Sequence, residues 1–315
     1  MTLPPLLVIA GATATGKTGL AVEVAERLVG QGMAVEVISA DSRQVYRGLD
    51  VGTAKIRHED RRGIVHHGLD LVDPDEPFTV ADFATHARSA LARIAASNGL
   101  AILVGGTGLY LRAVARGMDT DALPSDPKVR AGLEAEFLAA GLPSLVERLR
   151  AIAPGRAASI DTANPRRVVR ALEIATLAGG DADLPMPRGY DGPVAWIGVT
   201  VDPPEHRRWI EHRARAQFDA GLVEEARALR NRFDPALPPF SAIGYREAWA
   251  VLDGTLTGDA AIAEDVRRNV AFAKRQRTWF RAEPDIEWLD ATVRPPLDRT
   301  LEVARALSRA SRTVG

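Results

Sequence analysis

The sequence predicts an α/β fold in which a parallel sheet is flanked by helices, and three features support this prediction. Short apolar runs alternate with helical patterns in the first third of the chain, as in parallel sheets covered by helices. The apolar run at 6–10 leads directly into a glycine-rich segment and a helix. The runs at 34–39 and 100–104 also end in polar residues or glycine. Because ligands collect at the carboxyl ends of parallel strands, we expect these ends to share one site.

The glycine-rich segment after the first strand has the spacing of a phosphate-binding loop: glycine, four residues, glycine, lysine and threonine. Glycines allow the backbone to wrap closely around one anion, and the following helix adds its positive dipole end. Lys17 adds a full charge, and the Thr18 hydroxyl can hold a magnesium ion. The sequence therefore predicts a P-loop NTPase-like sheet with an anion site formed by Gly11, Ala12, Thr13, Ala14, Thr15, Gly16, Lys17 and Thr18. The pattern does not say which molecule carries the phosphates.

Composition excludes several classes of protein. The 315 residues carry a net charge of −1 and include no cysteine, which rules out disulfides, cysteine zinc sites and thiol catalysis. The N-terminus has no basic-then-apolar leader, and no apolar run approaches the ~20 residues that cross a membrane. With no obvious pairing helix either, we expect a cytoplasmic monomer that makes no membrane contact.

A change of character from residue 117 predicts a second domain. Helical patterns at 126–140, from 143, and at 164–178 follow one another without a core strand, and 179–193 is rich in Gly, Pro and Asp. A strand pattern returns at 194–200, and helices with one short strand at 286–289 complete the chain. We therefore predict a catalytic core formed by 1–116 and 194–315, interrupted by a helical insertion domain at 117–193.

Two strand ends offer side chains for chemistry. Asp41 follows the second strand and could accept a proton or bind magnesium, although taken alone a helix N-cap is the safer interpretation. The strand at 100–104 continues into Gly105-Gly106-Thr107, without the aspartate that motor and switch ATPases place there. Thr107 offers a hydroxyl instead, and the alternative is a tight turn that needs glycine.

Basic residues recur on three predicted helices. Lys274, Arg277 and Arg281 are spaced i, i+3, i+7 and share one face, beside Arg275 and the aromatic pair Trp279-Phe280. Further basic residues are Arg166, Arg167, Arg170 and Arg246. Such faces are typical of nucleic-acid phosphate binding with aromatic stacking, and the alternative is a solvated helix surface.

These pieces together resemble one family. The matching segments are 11–18, 38–55, 66–74, 80–83, 104–110, 164–167, 242–247 and 274–280, which look like a bacterial tRNA dimethylallyltransferase. The resemblance spans most of the chain in the expected order, and 41–55 is more specific than the phosphate loop. Ala12 stands where the family often has proline, which removes no anion donor.

The resemblance implies transfer of a dimethylallyl group from dimethylallyl diphosphate to N6 of the adenosine immediately 3′ of the anticodon. It implies that the phosphate loop holds the diphosphate leaving group, with Asp41 as general base and Thr107 orienting the substrate. Lys17, Thr18, Arg130 and Arg213 would neutralise the departing charge. Mg²⁺ would bridge the diphosphate oxygens, with Thr18 as its protein ligand.

For the tRNA anticodon stem-loop, the resemblance implies an extruded base. The Gly- and Pro-rich stretch at 179–193 motivates a further hypothesis, that the insertion domain closes over the stem-loop as a clamp. The implied tRNA contacts are Asp41, Ser42, Arg43, Gln44, Thr107, Arg130, Arg166, Arg167, Arg170, Gly244, Tyr245, Arg246, Lys274, Arg275, Arg277 and Arg281. Two alternatives stay open on the residues alone. One is a small-molecule or nucleoside kinase that uses ATP in the same loop, and the other is a non-catalytic RNA-binding protein with a nucleotide switch.

Overall fold

The computed structural model describes residues 3–120, 122–183 and 186–313, and its contacts divide the chain into two compact units. Unit 1 comprises the chain up to Gly117 and from Gly189 onward, and unit 2 comprises Met118–Arg188. A sheet lies in unit 1, whereas unit 2 is helical.

The sheet of unit 1 has six strands, and every neighbouring pair is parallel, in the order β3-β2-β4-β1-β5-β6. The strands are β1 Leu6–Gly11, β2 Val35–Ser39, β3 His66–His67, β4 Leu100–Gly105, β5 Val194–Thr200 and β6 Ile286–Asp290. The predicted parallel α/β sheet is therefore confirmed. The two-residue strand β3 was not predicted, because two histidines form no apolar run.

Eleven α-helices occur in the described part of the chain. They are α1 Lys17–Val29, α2 Val80–Ala96, α3 Gly108–Ala115, α4 Pro127–Ile152, α5 Pro154–Ser159, α6 Pro165–Ala178, α7 Pro203–Asp219, α8 Leu222–Arg230, α9 Tyr245–Leu252, α10 Gly258–Arg281 and α11 Leu297–Thr313. Helices α4, α5 and α6 belong to unit 2. The short helices α3 and α5 were not predicted, since neither is long enough to show a clear period.

The central strand β1 separates two apolar clusters. Leu6 and Val8 pack in one cluster with residues of α2, α3 and α9, whereas Leu7 and Ile9 pack in the other with residues of α1 and α11. Successive side chains of a strand point to opposite faces, so a strand buried on both faces is apolar throughout. This burial explains why 6–10 is a continuous apolar run.

Unit 2 forms a small core of its own around Leu145, Leu149, Val168 and Leu172. Asp126 and Asn164 cap α4 and α6, because the side-chain oxygen of each accepts backbone N–H groups of the first helical turn. The predicted break between residues 140 and 143 is a kink at Gly141, where φ is 78°.

The segment after unit 2 packs with unit 1. Gly189 N donates to Arg116 O (3.1 Å), Tyr190 Oη donates to Pro4 O (2.7 Å), and Leu6 N donates to Pro193 O (2.9 Å). The compact helical unit therefore ends at Arg188, five residues before the predicted limit of 193. The reason is that hydrogen bonds to the first strand and to the end of α3 attach 189–193 to the core.

Candidate active site

A cavity of about 760 Å³ lies in unit 1 at the carboxyl ends of β1, β2 and β4. This volume is typical of a small-molecule site. The phosphate loop, the turn after β2 and the turn after β4 all line it, together with parts of α7 and α10. The ends of these three strands therefore line one cavity, as the sequence led us to expect.

The phosphate loop has the backbone conformations that its glycines permit. Gly11 has φ of 152°, and an added Cβ would lie 2.6 Å from Val199 O, so a side chain is excluded there. Gly16 has φ of 79°, and the alanine at position 14 also has a positive φ of 57°. Six of the eight predicted loop residues line the cavity: Thr13, Ala14, Thr15, Gly16, Lys17 and Thr18.

Lys17 is buried at the floor of this cavity. Its Nζ donates to Ala12 O and makes a longer contact to Thr15 Oγ1 (3.4 Å). Burial, followed by the positive charge of Arg213, lowers the pKa of Lys17 to about 7, against an opposing effect of Asp41. Lys17 is therefore poised to gain a proton when an anion enters.

Asp41 lies in the turn after β2, and its Oδ1 accepts from Arg43 N (2.8 Å) and Gln44 N (3.4 Å). The sequence offered a helix N-cap as the alternative, but no helix follows Asp41, and these contacts stabilise a turn at 42–45 instead. The same residue also lines the cavity. A carboxylate has lone pairs on both oxygens, so capping through Oδ1 leaves acceptor capacity for a ligand.

Thr107 fixes the Asp41 turn to the end of β4. Its Oγ1 accepts from Ser42 N (3.0 Å), and its own N–H donates to Ala40 O (3.2 Å). An added Cβ on Gly105 would lie 2.1 Å from Ala40 O, so the two strand ends approach at a distance that only glycine allows. The glycines after β4 therefore serve close backbone approach rather than a turn alone.

Arg213 reaches the same cavity from α7. Its Nη1 donates to Thr13 Oγ1 (2.9 Å) and its Nη2 to Thr53 O (3.3 Å). Burial lowers the pKa of this guanidinium, and Asp41 and Asp265 act in the opposite direction. Because arginine stays protonated in proteins, Arg213 and Lys17 provide positive charge on two sides of the loop.

Gln276 on α10 and His206 on α7 also contact the loop, and the sequence singled out neither residue. Gln276 lines the cavity, and its Oε1 accepts from Thr13 N (2.8 Å). His206 on α7 contacts Thr13 O (2.8 Å) and Arg277 (3.0 Å). The contact between Thr13 and Gln276 spans 263 positions, so no local pattern signals it.

The predicted tRNA residues of unit 1 fall into four groups. Asp41, Ser42, Arg43, Gln44, Thr107 and Arg275 line the cavity, while Arg246, Lys274 and Arg281 are exposed on α9 and α10. Arg277 was predicted to share the face of Lys274 and Arg281, but it is half-buried and contacts His206. Gly244 and Tyr245 are buried. The Tyr245 hydroxyl donates to Glu225 Oε1 (2.7 Å) and its ring packs on Gly52, so this side chain supports a loop and has no surface to offer RNA.

Two of the four predicted basic residues of unit 2, Arg130 and Arg170, contact Glu173, which is fully buried. Arg130 Nη2 lies 2.9 Å from Glu173 Oε2, and Arg170 Nη1 lies 2.6 Å from the same atom. Burial acts to raise the pKa of Glu173, but hydrogen bonds from Arg170 and Arg130 outweigh it and leave the pKa lowered. Arg166 and Arg167 are exposed on α6. Arg130 thus pairs with a buried carboxylate, whereas the resemblance implied that it neutralises the charge of the departing diphosphate.

The donor set for a divalent cation is small. Among the described residues, no group of three or more His, Asp or Glu side chains is arranged to hold a metal. The Thr18 hydroxyl and the Asp41 carboxylate both line the cavity. Mg²⁺ binds through one or two such protein groups together with substrate phosphates, so these residues fit a cation that arrives with a diphosphate.

None of the described helices is long and apolar enough to cross a membrane.

Comparison with known proteins identifies similar sequences over most of the chain. The family model described as IPP transferase matches residues 44–283. A tRNA dimethylallyltransferase from Anaeromyxobacter sp. (strain K) is 45% identical over 303 residues, covering 93% of this chain and 94% of that protein. One from Symbiobacterium thermophilum is 41% identical over 291 residues, covering 91% and 90%.

Solved structures show the same architecture. A tRNA isopentenylpyrophosphate transferase from Bacillus halodurans superposes with a TM-score of 0.70 at 36% identity, covering 98% of each chain. A eukaryotic dimethylallyltransferase acting on tRNA superposes with a TM-score of 0.79 at 25% identity, covering 99% of this chain and 79% of that one. These similarities support a P-loop NTPase-like fold for the sheet of unit 1.

Diphosphate binding should bring a proton to Lys17. The pKa of about 7 in the free protein rises when phosphate charge lies beside the ammonium. Above pH 7, binding therefore takes up a proton, and affinity falls as pH rises by up to about tenfold per pH unit. Calorimetry with inorganic diphosphate at pH 8, in buffers of different ionisation enthalpy, measures this uptake.

Lys17→Met is the matched control for this measurement. The variant lacks the titrating group, so the difference in proton uptake between the two proteins isolates Lys17 from the titration of diphosphate itself. Equal uptake by both proteins would contradict the assignment.

Proposed function

This chain belongs to the IPP transferase family, and we propose on that premise that it is a tRNA dimethylallyltransferase. Its reaction moves a dimethylallyl group from dimethylallyl diphosphate to N6 of the adenosine immediately 3′ of the anticodon and releases diphosphate. The observation that carries this proposal is the shared cavity, which combines a phosphate loop with a carboxylate and leaves room for a second substrate.

Asp41 is the proposed general base. The adenine N6 amine is a weak nucleophile because its lone pair is delocalised into the ring. As the bond from N6 to the prenyl carbon forms, a proton leaves N6 and the Asp41 carboxylate accepts it. The backbone N–H groups that hold Oδ1 fix the orientation of this carboxylate. Thr107 positions the Asp41 turn through Ser42 N, and we propose that it also orients the substrate.

The phosphate loop is the proposed site of the leaving group. The bond between the prenyl carbon and the diphosphate oxygen breaks as negative charge builds on that oxygen. Lys17 and Arg213 lie where they can balance this charge, and both are partly or fully withdrawn from water, which strengthens the effect. Arg130 was predicted to help, and its contacts to Glu173 support a role in holding unit 2 together.

A divalent cation, proposed to be Mg²⁺, accompanies the diphosphate. When bound, it would neutralise part of the diphosphate charge. Thr18 is the side chain proposed to hold it, since its hydroxyl lines the cavity beside the loop.

The tRNA is proposed to contact both units. In unit 1 the exposed cations Arg246, Lys274 and Arg281 would meet phosphates, and in unit 2 Arg166 and Arg167 would do so. The adenosine must leave its stack to enter a cavity that contains Asp41. The insertion domain is also proposed to close over the anticodon stem-loop as a clamp.

The kinase alternative finds no support in the comparisons. The similar proteins with substantial identity are tRNA dimethylallyltransferases and tRNA isopentenylpyrophosphate transferases. In this chain β4 ends at Gly105 and is followed by Gly106 and Thr107, without an aspartate for ATP chemistry. A phosphate loop binds a diphosphate by the same physics, whatever group the diphosphate carries.

A labelling experiment tests the proposed function. The protein is mixed with an unmodified tRNA that has adenosine 3′ of its anticodon and with either prenyl-labelled dimethylallyl diphosphate or γ-labelled ATP. We expect the prenyl label on N6 of that adenosine and no transfer from ATP. Transfer of the ATP label would favour a kinase, and no transfer at all would favour an RNA-binding protein.

Asp41→Asn should lower the transfer rate by about 10²–10⁴-fold, because asparagine keeps an acceptor for Arg43 N but cannot accept a proton. Affinity for tRNA should stay close to that of the wild type. Asp73→Asn is the control, since Asp73 is half-buried, pairs with Arg47 (3.3 Å) and does not line the cavity. Near-normal turnover of Asp41→Asn would remove Asp41 from the role of base.

Lys274→Ala and Arg281→Ala should weaken tRNA binding and reduce its salt dependence. Each lost phosphate contact is expected to lower the slope of log K against log salt by about 0.7–0.9. Arg299→Ala removes one exposed charge from α11, where Arg299 pairs with Glu287 (2.7 Å), and should leave the slope unchanged. If all three variants keep the wild-type slope, the basic face of α10 is only a solvated surface.

A further inference from the structure

Two helices from outside the phosphate loop hold the peptide groups of Thr13. Its N–H donates to Gln276 Oε1 on α10 (2.8 Å), and its carbonyl oxygen contacts His206 Nε2 on α7 (2.8 Å). Gln276 is 7% exposed and His206 is 2% exposed. The backbone of this one residue is therefore fixed on both sides by buried side chains, neither of which belongs to the phosphate-loop pattern.

Gln276 joins two turns of the cavity. While its Oε1 accepts from Thr13 N, its Nε2 donates to Gly106 O after β4 (2.9 Å). The two contacts together decide which end of the amide is oxygen. An added Cβ on Gly106 would lie 2.5 Å from that Nε2, so glycine is required for the contact. Gln276 thus holds the loop after β1 at a fixed distance from the turn after β4.

His206 is held in one tautomer by Arg277. The guanidinium of Arg277 only donates, so Nδ1 of His206 must accept a hydrogen bond from it (3.0 Å). The proton of the neutral ring therefore lies on Nε2, which donates a hydrogen bond to Thr13 O. Burial, with Arg277 and Lys17 acting in the same direction, lowers the pKa of His206 and favours this neutral form.

The residue after Thr13 explains why such support is needed. Ala14 has φ of 57°, a conformation in which its Cβ is strained, and such residues persist only where neighbouring contacts fix them. From this residue onward, the chain up to Thr18 lines the cavity. A loop freed at Thr13 would let Ala14 relax and would move the anion site.

We propose that Gln276 and the His206–Arg277 pair are positioning residues that hold the phosphate loop ready for the diphosphate. Helix α10 then serves both substrates, with Lys274 on its exposed side and Gln276 on its buried side. This inference rests on the proposed function for the identity of the prenyl donor, but its effect on diphosphate binding can be measured without any transfer reaction.

Gln276→Met is the first test, because methionine has a similar size and leaves Thr13 N–H and Gly106 C=O without partners. We expect the Kd for inorganic diphosphate and the KM for dimethylallyl diphosphate to rise about tenfold, while the KM for tRNA stays at the wild-type value. Equal changes in both KM values, or a lower Tm with unchanged diphosphate binding, would overturn the proposal.

Gln217→Met is the matched control. Gln217 is also a buried glutamine, and its Nε2 donates to Val51 O (2.7 Å) and Gly52 O (2.9 Å) rather than to the phosphate loop. We expect this variant to lose thermal stability with no selective effect on diphosphate. A selective effect as large as that of Gln276→Met would show that any buried glutamine has this consequence.

Ala14→Gly should partly rescue Gln276→Met, because glycine adopts a positive φ without a steric penalty. We expect the double variant to recover most of the lost diphosphate affinity. Without recovery, Gln276 would act by direct contact with the ligand, and the positioning role would be wrong.

The His206 arm has its own pair of variants. His206→Gln places an amide N–H near the position of Nε2 and should keep diphosphate binding, whereas His206→Leu should weaken it several-fold. Arg277→Met should raise the Kd for inorganic diphosphate, whereas Lys274→Ala should leave it unchanged. If Arg277→Met affects only tRNA binding, the contact to His206 has no positioning role. If the wild type fails to label tRNA, the proposed function is refuted. The diphosphate-binding results would still test the positioning roles, because they do not depend on the transfer reaction.

Discussion

The site depends on the close approach of the Ala40 backbone to Gly105 at the end of β4. Ala40 N donates to Val104 O (2.7 Å), Ala40 O accepts from Thr107 N (3.2 Å), and Gly105 allows this approach because it has no side chain. Ser42 N then reaches Thr107 Oγ1. These contacts place Asp41 at the carboxyl end of β2, and the phosphate loop follows β1, which lies on the other side of β4. The proposed general base and the proposed anion site therefore line one cavity.

The charges around the cavity are arranged for a ligand with several negative charges. Lys17 and Arg213 carry the positive charge beside the loop, and Asp41 opposes the effect of burial on both of their pKa values. Under the proposed function, entry of a diphosphate would favour the protonated form of Lys17, and Asp41 would accept the proton of the amine. The two halves of the proposed reaction, loss of the diphosphate and loss of the N6 proton, thus fall to groups of opposite charge in one space.

Much of this arrangement could be predicted from local sequence. The phosphate loop and Asp41 can be recognised because glycine spacing and strand ends are local patterns, and the caps at Asp126 and Asn164 are equally local. The support for the loop could not be predicted, because Gln276 lies 263 positions from Thr13 and sits within a run that looks merely basic. Tyr245 shows the converse error, since a motif position suggested contact with RNA whereas the fold buries its side chain against Gly52.

A crystal structure with an unreactive analogue of dimethylallyl diphosphate would locate both halves of the proposed reaction. We expect both phosphate groups within hydrogen-bonding reach of Gly16, Lys17 and Thr18, with the prenyl carbon facing the carboxylate of Asp41. A diphosphate bound away from this loop, or an Asp41 side chain turned away from the space beside the prenyl carbon, would refute the proposed roles of the loop and of Asp41.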